Sequence, residues 1–206
     1  MNKKIFITGI GTDVGKTLCS AIVCESLKAD YWKPIQAGDL GLGDNETVQN
    51  LITNTQTKFY PNSYALKTPA SPHYSAQIDK VTIDLGEIKE PVTDNTLVIE
   101  GAGGLLVPLN DENTVLDLIN GDYHVVLVSK HYLGSINHTL MSIEMLKQRG
   151  LNCSIIFNGD ENQATEEIIE KMTHCKVIGR INQEKIIDAN VIFNYSKLFH
   201  RKLLKL

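Results

Sequence analysis

The chain has 206 residues, 42% of them hydrophobic, which suits one sizeable core and a single domain over residues 1–206. Lys and Arg number 20 against 24 Asp and Glu, a formal net charge of −4, and no basic run precedes the last few residues, so nucleic acid is not an expected partner. No apolar run approaches the ~20 residues of a membrane span, residues 1–9 are too briefly apolar for an export signal, and the four cysteines form no C-x-x-C pair. The expectation is a cytoplasmic protein with reduced thiols and no membrane partner.

Residues 3–8 read as a buried strand, and residues 16–27 as a helix with Leu18, Ile22 and Val23 on one side. "DYWKPI" reads as a short strand stopped by Pro34, and a helix begins near Asp44 and includes Leu51. Residues 53–89 are rich in turn signals. "TLVIE" and "HVVLVS" are continuous apolar strands; Ile136, Leu140, Ile143 and Leu146 mark an amphipathic helix ending at Gly150. "CSIIFN", a helix over residues 164–172 and "KVIGRI" follow, and residues 195–206 read as a basic helix. Apolar strands alternating with helices predict a three-layer α/β fold, a mostly parallel sheet covered on both faces. Ligands of such sheets bind at the C-terminal strand ends.

The first such end is "GIGTDVGKT". It departs from G-x-x-x-x-G-K-[ST], because Ile10 stands where the first glycine belongs, with Gly9 and Gly11 on either side. Its strand–turn–helix setting still predicts a phosphate loop, in which backbone N–H groups and the helix N-terminus face phosphates, Lys16 reaches the β- and γ-phosphates and Thr17 faces Mg²⁺. Lys33 closes the second strand, either as a solvated strand tip or as a partner of the loop. Glu100 closes "TLVIE" before Gly101, Ala102 and Gly103, whose small size admits a ligand close to the backbone. Buried there, a carboxylate calls for a metal or lysine partner. Asp44 can cap its helix or turn its carboxylate to Mg²⁺. Thr17, Asp44 and Glu100 form a hard-oxygen set that suits that ion.

"TGIGTDVGKT", "KPIQAG", "SPHYSAQ", "VIEGAGGLLVPL", "LGSINH" and "IIFN" stand in an order and spacing that resemble the dethiobiotin synthetase family from residue 3 to about 160. The displaced glycine is that family's own loop form. The resemblance implies a P-loop NTPase fold and an ATP- and Mg²⁺-dependent cyclo-ligase that closes 7,8-diaminononanoate and CO₂ into a cyclic urea. It passes through an N-carbamate and a carbamic–phosphoric anhydride. It further implies a homodimer with substrate near the subunit interface. By the same resemblance Lys33, Lys16 and Thr12 serve catalysis. Thr12, Asp13, Val14, Gly15, Lys16, Thr17 and Leu18 hold phosphates, with Asp44 and Glu100–Gly103 beside them. Thr17, Asp44 and Glu100 hold the metal, Asn158 reads adenine, and Lys33 meets substrate. Ala37 departs from the family's Ser or Thr at a substrate-contacting position. "RINQEK" departs from the family's adenine loop, leaving Asn182 and Gln183 in its place. His73 and His138 read as structural, since neither has a second ligand at i+3 or i+4.

The competing class is the ATP-driven switch of the partitioning and septum-placing ATPases, which share this sheet. Those carry an extra lysine early in the loop, and residues 10–14 here hold none.

Overall fold

The computed structural model describes residues 3–206. Among the described residues nine strands and six α-helices follow in the order β1 (Lys4–Gly9), α1 (Lys16–Leu27), β2 (Asp30–Trp32), β3 (Ile35–Ala37), α2 (Asp44–Leu51), β4 (Phe59–Tyr60), β5 (Tyr64–Leu66), α3 (Pro72–Asp79), β6 (Leu97–Gly104), β7 (His124–Lys130), α4 (Ser135–Gln148), β8 (Asn152–Asn158), α5 (Gln163–Thr173), β9 (Lys176–Ile181) and α6 (Ala189–Leu203). Seven strands form one sheet in the order β4-β2-β6-β1-β7-β8-β9. All its pairings are parallel.

The apolar strands explain the layering. Successive side chains of a strand point to opposite faces. Ile5, Ile7, Val126 and Val128 therefore pack with Ile22 and Val23 of α1 and Ile192 and Phe199 of α6. Phe6, Ile99 and Val125 face the other way, toward Leu146 of α4. Leu127, Ile155 and Phe157 join Ile143 of α4 and Ile169 of α5 on that side. Both faces are thus covered, as continuous apolar strands demand.

Four elements differ from the sequence reading. The strand read as "TLVIE" is not closed by Glu100 but runs on to Gly104, because the small residues after Glu100 stay alongside β1, where Gly104 pairs with Gly9. "DYWKPI" is two strands, because Pro34 has no N–H to continue a ladder. β2 stays in the main sheet, while β3 pairs in parallel with β5 in a separate two-stranded sheet. The turn-rich stretch contains α3, with Pro72 in its first turn, where a missing N–H costs nothing. The last helix starts at Ala189, well before Tyr195, because the Asp188 carboxylate accepts a bond from Val191 N at 2.9 Å and caps it.

Candidate active site

The C-terminal ends of β1, β2, β6, β7 and β8 converge on one region. The turn after β1 uses glycine where its path requires it. A methyl group at Gly9 would strike the Val14 side chain, and Gly15, at φ 95°, lies against the Asn158 amide. Position 10 carries no such demand; Ile10 is partly buried against the core and its N–H donates to Val128 O at 3.1 Å. The loop is braced from two neighbouring strands. Lys130, ending β7, donates to Asp13 O at 3.2 Å, and Asn158, ending β8, donates through Nδ2 to Val14 O at 2.8 Å. Lys16 lies back along the loop and donates to Gly11 O at 3.0 Å. Burial lowers its pKa, against the pull of Glu100.

Beside the loop, Glu100 and Lys33 are 1% and 5% exposed. Lys33 bridges two carboxylates: its Nζ lies 3.2 Å from Glu100 Oε1 and also pairs with Asp44 Oδ2. Burial works against the ammonium, but Glu100 and Asp44 together outweigh it and hold the Lys33 pKa above its ordinary value. Asp44 shows the converse: burial would raise its pKa, and Lys33 draws it below the ordinary value. Thr17 Oγ1 lies 2.8 Å from Asp44 Oδ1 and 3.0 Å from Glu100 Oε1. A hydroxyl carries one proton, so it can donate to only one of them. Three oxygens thus converge around positive charge. The other Glu100 oxygen, Oε2, accepts from Ser20 Oγ at 2.7 Å and Tyr31 OH at 2.9 Å, which fixes the carboxylate's orientation.

Around this centre is a cavity of about 740 Å³ lined by Thr12, Asp13, Gly15, Lys16, Thr17, Lys33, Ala37, Asp44, Glu100, Ala102 and Gly103, together with the turn before α3. A second cavity, of about 670 Å³, shares Asp13, Gly15 and Thr17 with it and extends past Leu18 to Asn158, Asn182 and Gln183. The two cavities meet at these shared residues of the loop. Two of the residues marked from sequence lie outside both walls. Val14 packs in the core and offers its carbonyl to Asn158. Gly101 is buried against Phe6 and Val115, where any side chain would crowd them. His138 accepts or donates at 2.8 Å to Tyr132 OH, outside both cavities.

Sequence reasoning missed several supports. Ser20 could have been found, because it lies one turn from Thr17 on the same face of α1. Tyr31 carries no such signal; only the pairing of β2 with β6 brings it to Glu100. Gln36 joins β3 to the start of α2, accepting from Asp44 N at 3.4 Å and donating to Gly38 O at 3.0 Å. Behind Asn158, His131 N donates to its carbonyl at 3.0 Å, and the His131 ring and Arg180 both meet Glu166 Oε1 at 3.0 Å.

Among the described residues no three His, Cys, Asp or Glu side chains gather as a metal cage. Two carboxylates and a hydroxyl make a partial set, which fits an ion that keeps waters and takes phosphate oxygens. No described helix is long and apolar enough to cross a membrane.

The family model described as "AAA domain" matches residues 3–191. The chain is 53% identical over 207 residues to the ATP-dependent dethiobiotin synthetase BioD of Christiangramia forsetii, covering 100% of both chains. It is 49% identical over 201 residues to the protein of the same name from Cytophaga hutchinsonii, covering 96% of this chain and 97% of that one. Among solved structures it resembles the cell division ATPase MinD of Pyrococcus furiosus, with a TM-score of 0.58 and 14% identity over 98% of this chain and 100% of the other. A plasmid partition protein of Borrelia burgdorferi gives 0.59 and 17% over 100% and 99%. At such identities the structural likeness shows the P-loop NTPase fold alone.

Proposed function

The chain belongs to the ATP-dependent dethiobiotin synthetase family, and from that premise we propose that it joins 7,8-diaminononanoate and CO₂ at the expense of ATP, giving dethiobiotin, ADP and phosphate. The observation that carries this reading is the Lys33–Asp44–Glu100–Thr17 centre beside the phosphate loop.

The chemistry brings anions together. One amine of the substrate attacks CO₂ and loses a proton, giving a carbamate. A carbamate oxygen attacks the γ-phosphorus and ADP leaves. The second amine attacks the carbamoyl carbon, phosphate leaves and the ring closes. A carbamate and a triphosphate repel each other, so the protein's main task is to place cations and hold both partners in line. Lys16 and Lys33 are those cations. Paired with two carboxylates that raise its pKa, Lys33 stands in this structure as a positive charge and not as a base. Thr12 and Asp13, exposed at the rim of the cavity, lie where the γ-phosphate would react. Thr17, Asp44 and Glu100 would hold Mg²⁺, which offsets phosphate charge when bound. Asn158 and Asn182 border the end of the cavity assigned to the base.

The homodimer is part of the proposal. An apolar cavity of about 800 Å³ opens beside Gly11 and Thr12, and its wall includes Leu106, Met141 and Met172, each more than half exposed. A second copy would cover these side chains next to the substrate site. Equilibrium sedimentation tests this: native protein should be dimeric and Met141→Glu monomeric.

The deciding experiment supplies diaminononanoate, bicarbonate, Mg²⁺ and ATP and reads dethiobiotin by mass. Product should depend on every component. ATP hydrolysis without diamine-dependent product would overturn the assignment in favour of a nucleotide switch. Lys33→Ala should abolish urea formation while ATP binding stays measurable.

A further inference from the structure

Cys153 and Cys175 stand apart from the other two thiols. Cys19 and Cys24 are fully buried in the core, and burial pushes both thiols well up. Cys153 and Cys175 are only half-buried, and their sulfurs touch at 3.3 Å. The sheet explains the contact. Ser154 pairs with Lys176, so the two cysteines face each other one step before that pair, at the start of β8 and just ahead of β9. Neighbouring strands run about 4.8 Å apart and paired residues project to the same face. That spacing falls inside the Cα separation of about 4.4–6.8 Å that a disulfide accepts. Positive charge is at hand as well. Lys147 Nζ donates to Thr173 O at 2.9 Å, at the end of α5, and its charge favours the thiolate at both sulfurs. The contact between the two thiols draws Cys175 below its ordinary range and holds Cys153 up.

We propose that Cys153 and Cys175 form a peroxide-reactive dithiol that closes to an intramolecular disulfide. The Cys175 thiolate attacks one oxygen of hydrogen peroxide; an S–O bond forms, the O–O bond breaks, and hydroxide leaves and takes up a proton. Cys153 then attacks the Cys175 sulfenic sulfur and gives up its proton, the S–O bond breaks, and a second water leaves. Two thiols are oxidised by two electrons and one peroxide is reduced to two waters. A thiolate beside a resolving thiol is the arrangement this sequence needs.

The bond would tie β8 to β9 at the ends away from the nucleotide cavity. Asn158 is five residues further along β8, about 17 Å at the usual rise per residue. Oxidation should therefore leave the cavity intact and restrain the edge unit of β8, α5 and β9.

The test treats the reduced full chain with equimolar hydrogen peroxide, alkylates it in denaturant and maps peptides by mass. The expected result is a Cys153–Cys175 cross-link that dithiothreitol reverses, with Cys19 and Cys24 still alkylated. Thermal unfolding of the oxidised protein should shift upward, and Cys153→Ser should lose that shift and leave a sulfenic acid on Cys175 that dimedone traps. The proposal fails if Cys153 and Cys175 both remain alkylated after peroxide is consumed, if cross-links form only between molecules, or if Cys19 or Cys24 is oxidised in their place.

Discussion

Lys33→Met tests the logic of the buried charges directly. The native ammonium meets Asp44 and Glu100, and Glu100 has no comparable cation elsewhere among its described hydrogen-bond partners, which are Thr17, Ser20 and Tyr31. Methionine keeps the length and apolar stem but removes the charge. Two carboxylates then face each other across one hydroxyl. Removing one partner of a buried ion pair costs about 3–5 kcal/mol. For a chain of this size each kcal/mol moves the melting temperature by about 2–4 °C, so a drop of about 6–20 °C is expected. A carboxylate can relieve part of the cost by taking a proton, so the loss should be larger in mildly alkaline than in mildly acidic buffer. On the proposed reading, Mg²⁺ would bind the carboxylate oxygens that Lys33 meets in the native protein. In the variant the ion meets no competing ammonium, so excess Mg²⁺ without nucleotide should raise the variant's melting temperature more than the native protein's. The assay is thermal unfolding followed by circular dichroism, with and without Mg²⁺, at two pH values. A drop below about 1 kcal/mol, or equal Mg²⁺ stabilisation of both proteins, would refute the reasoning, since a cost of about 3 kcal/mol or more is the least that a broken buried pair predicts.

Further outcomes follow from the loop and its supports. Asn158→Ala removes a brace worth about 1 kcal/mol, so the KM for ATP should rise about fivefold with kcat nearly unchanged; an unchanged KM would count against the brace. Gly15→Ala forces a left-handed backbone costing about 1–2 kcal/mol and collides with Asn158, and nucleotide titration should show binding lost; retained affinity would mean the loop adopts another path. Ala37→Ser restores a hydroxyl beside Gln36 and should leave activity equal or lower the diamine KM modestly, whereas a loss above about tenfold would contradict the local geometry. His124 is held neutral, its pKa lowered to about 4 by burial and by the charges of Lys3 and Lys176. Between that value and the ordinary 6.5 the unfolded chain binds a proton that the native state refuses, so stability falls as pH drops through this window. Denaturant titrations should show a flatter acid loss for His124→Gln, and identical slopes for the two proteins would exclude the histidine as the cause.

How much of this was legible in the sequence depends on the range of the interaction concerned. The helix over residues 16–27, the strand ending at Asn158 and the parallel character of the sheet follow from local apolar runs, and the structure carries them at those places, whereas the strand expected to end at Glu100 runs on to Gly104. Lys33, Asp44 and Glu100 could be marked because strand ends and helix starts are readable, and a parallel sheet sends its strand ends to one side. Their mutual contacts could not be read, since those depend on β2 lying beside β6 and on α2 folding back over the loop. The same limit hid Tyr31 and the two loop braces, each a contact set by strand order. Where a local signal was present but overruled, the cause is specific. Pro34 ended one ladder without ending the extended chain, so a single apolar run became two strands in two sheets. That break has a consequence for the site. It leaves Lys33 between β2 and β3, where its side chain can enter the space between Asp44 and Glu100 instead of packing into either sheet face. The irregular glycine has a similar explanation. Close packing of Val14 over the start of the turn places the demand for glycine at position 9, and a motif defined only by spacing would pass it over.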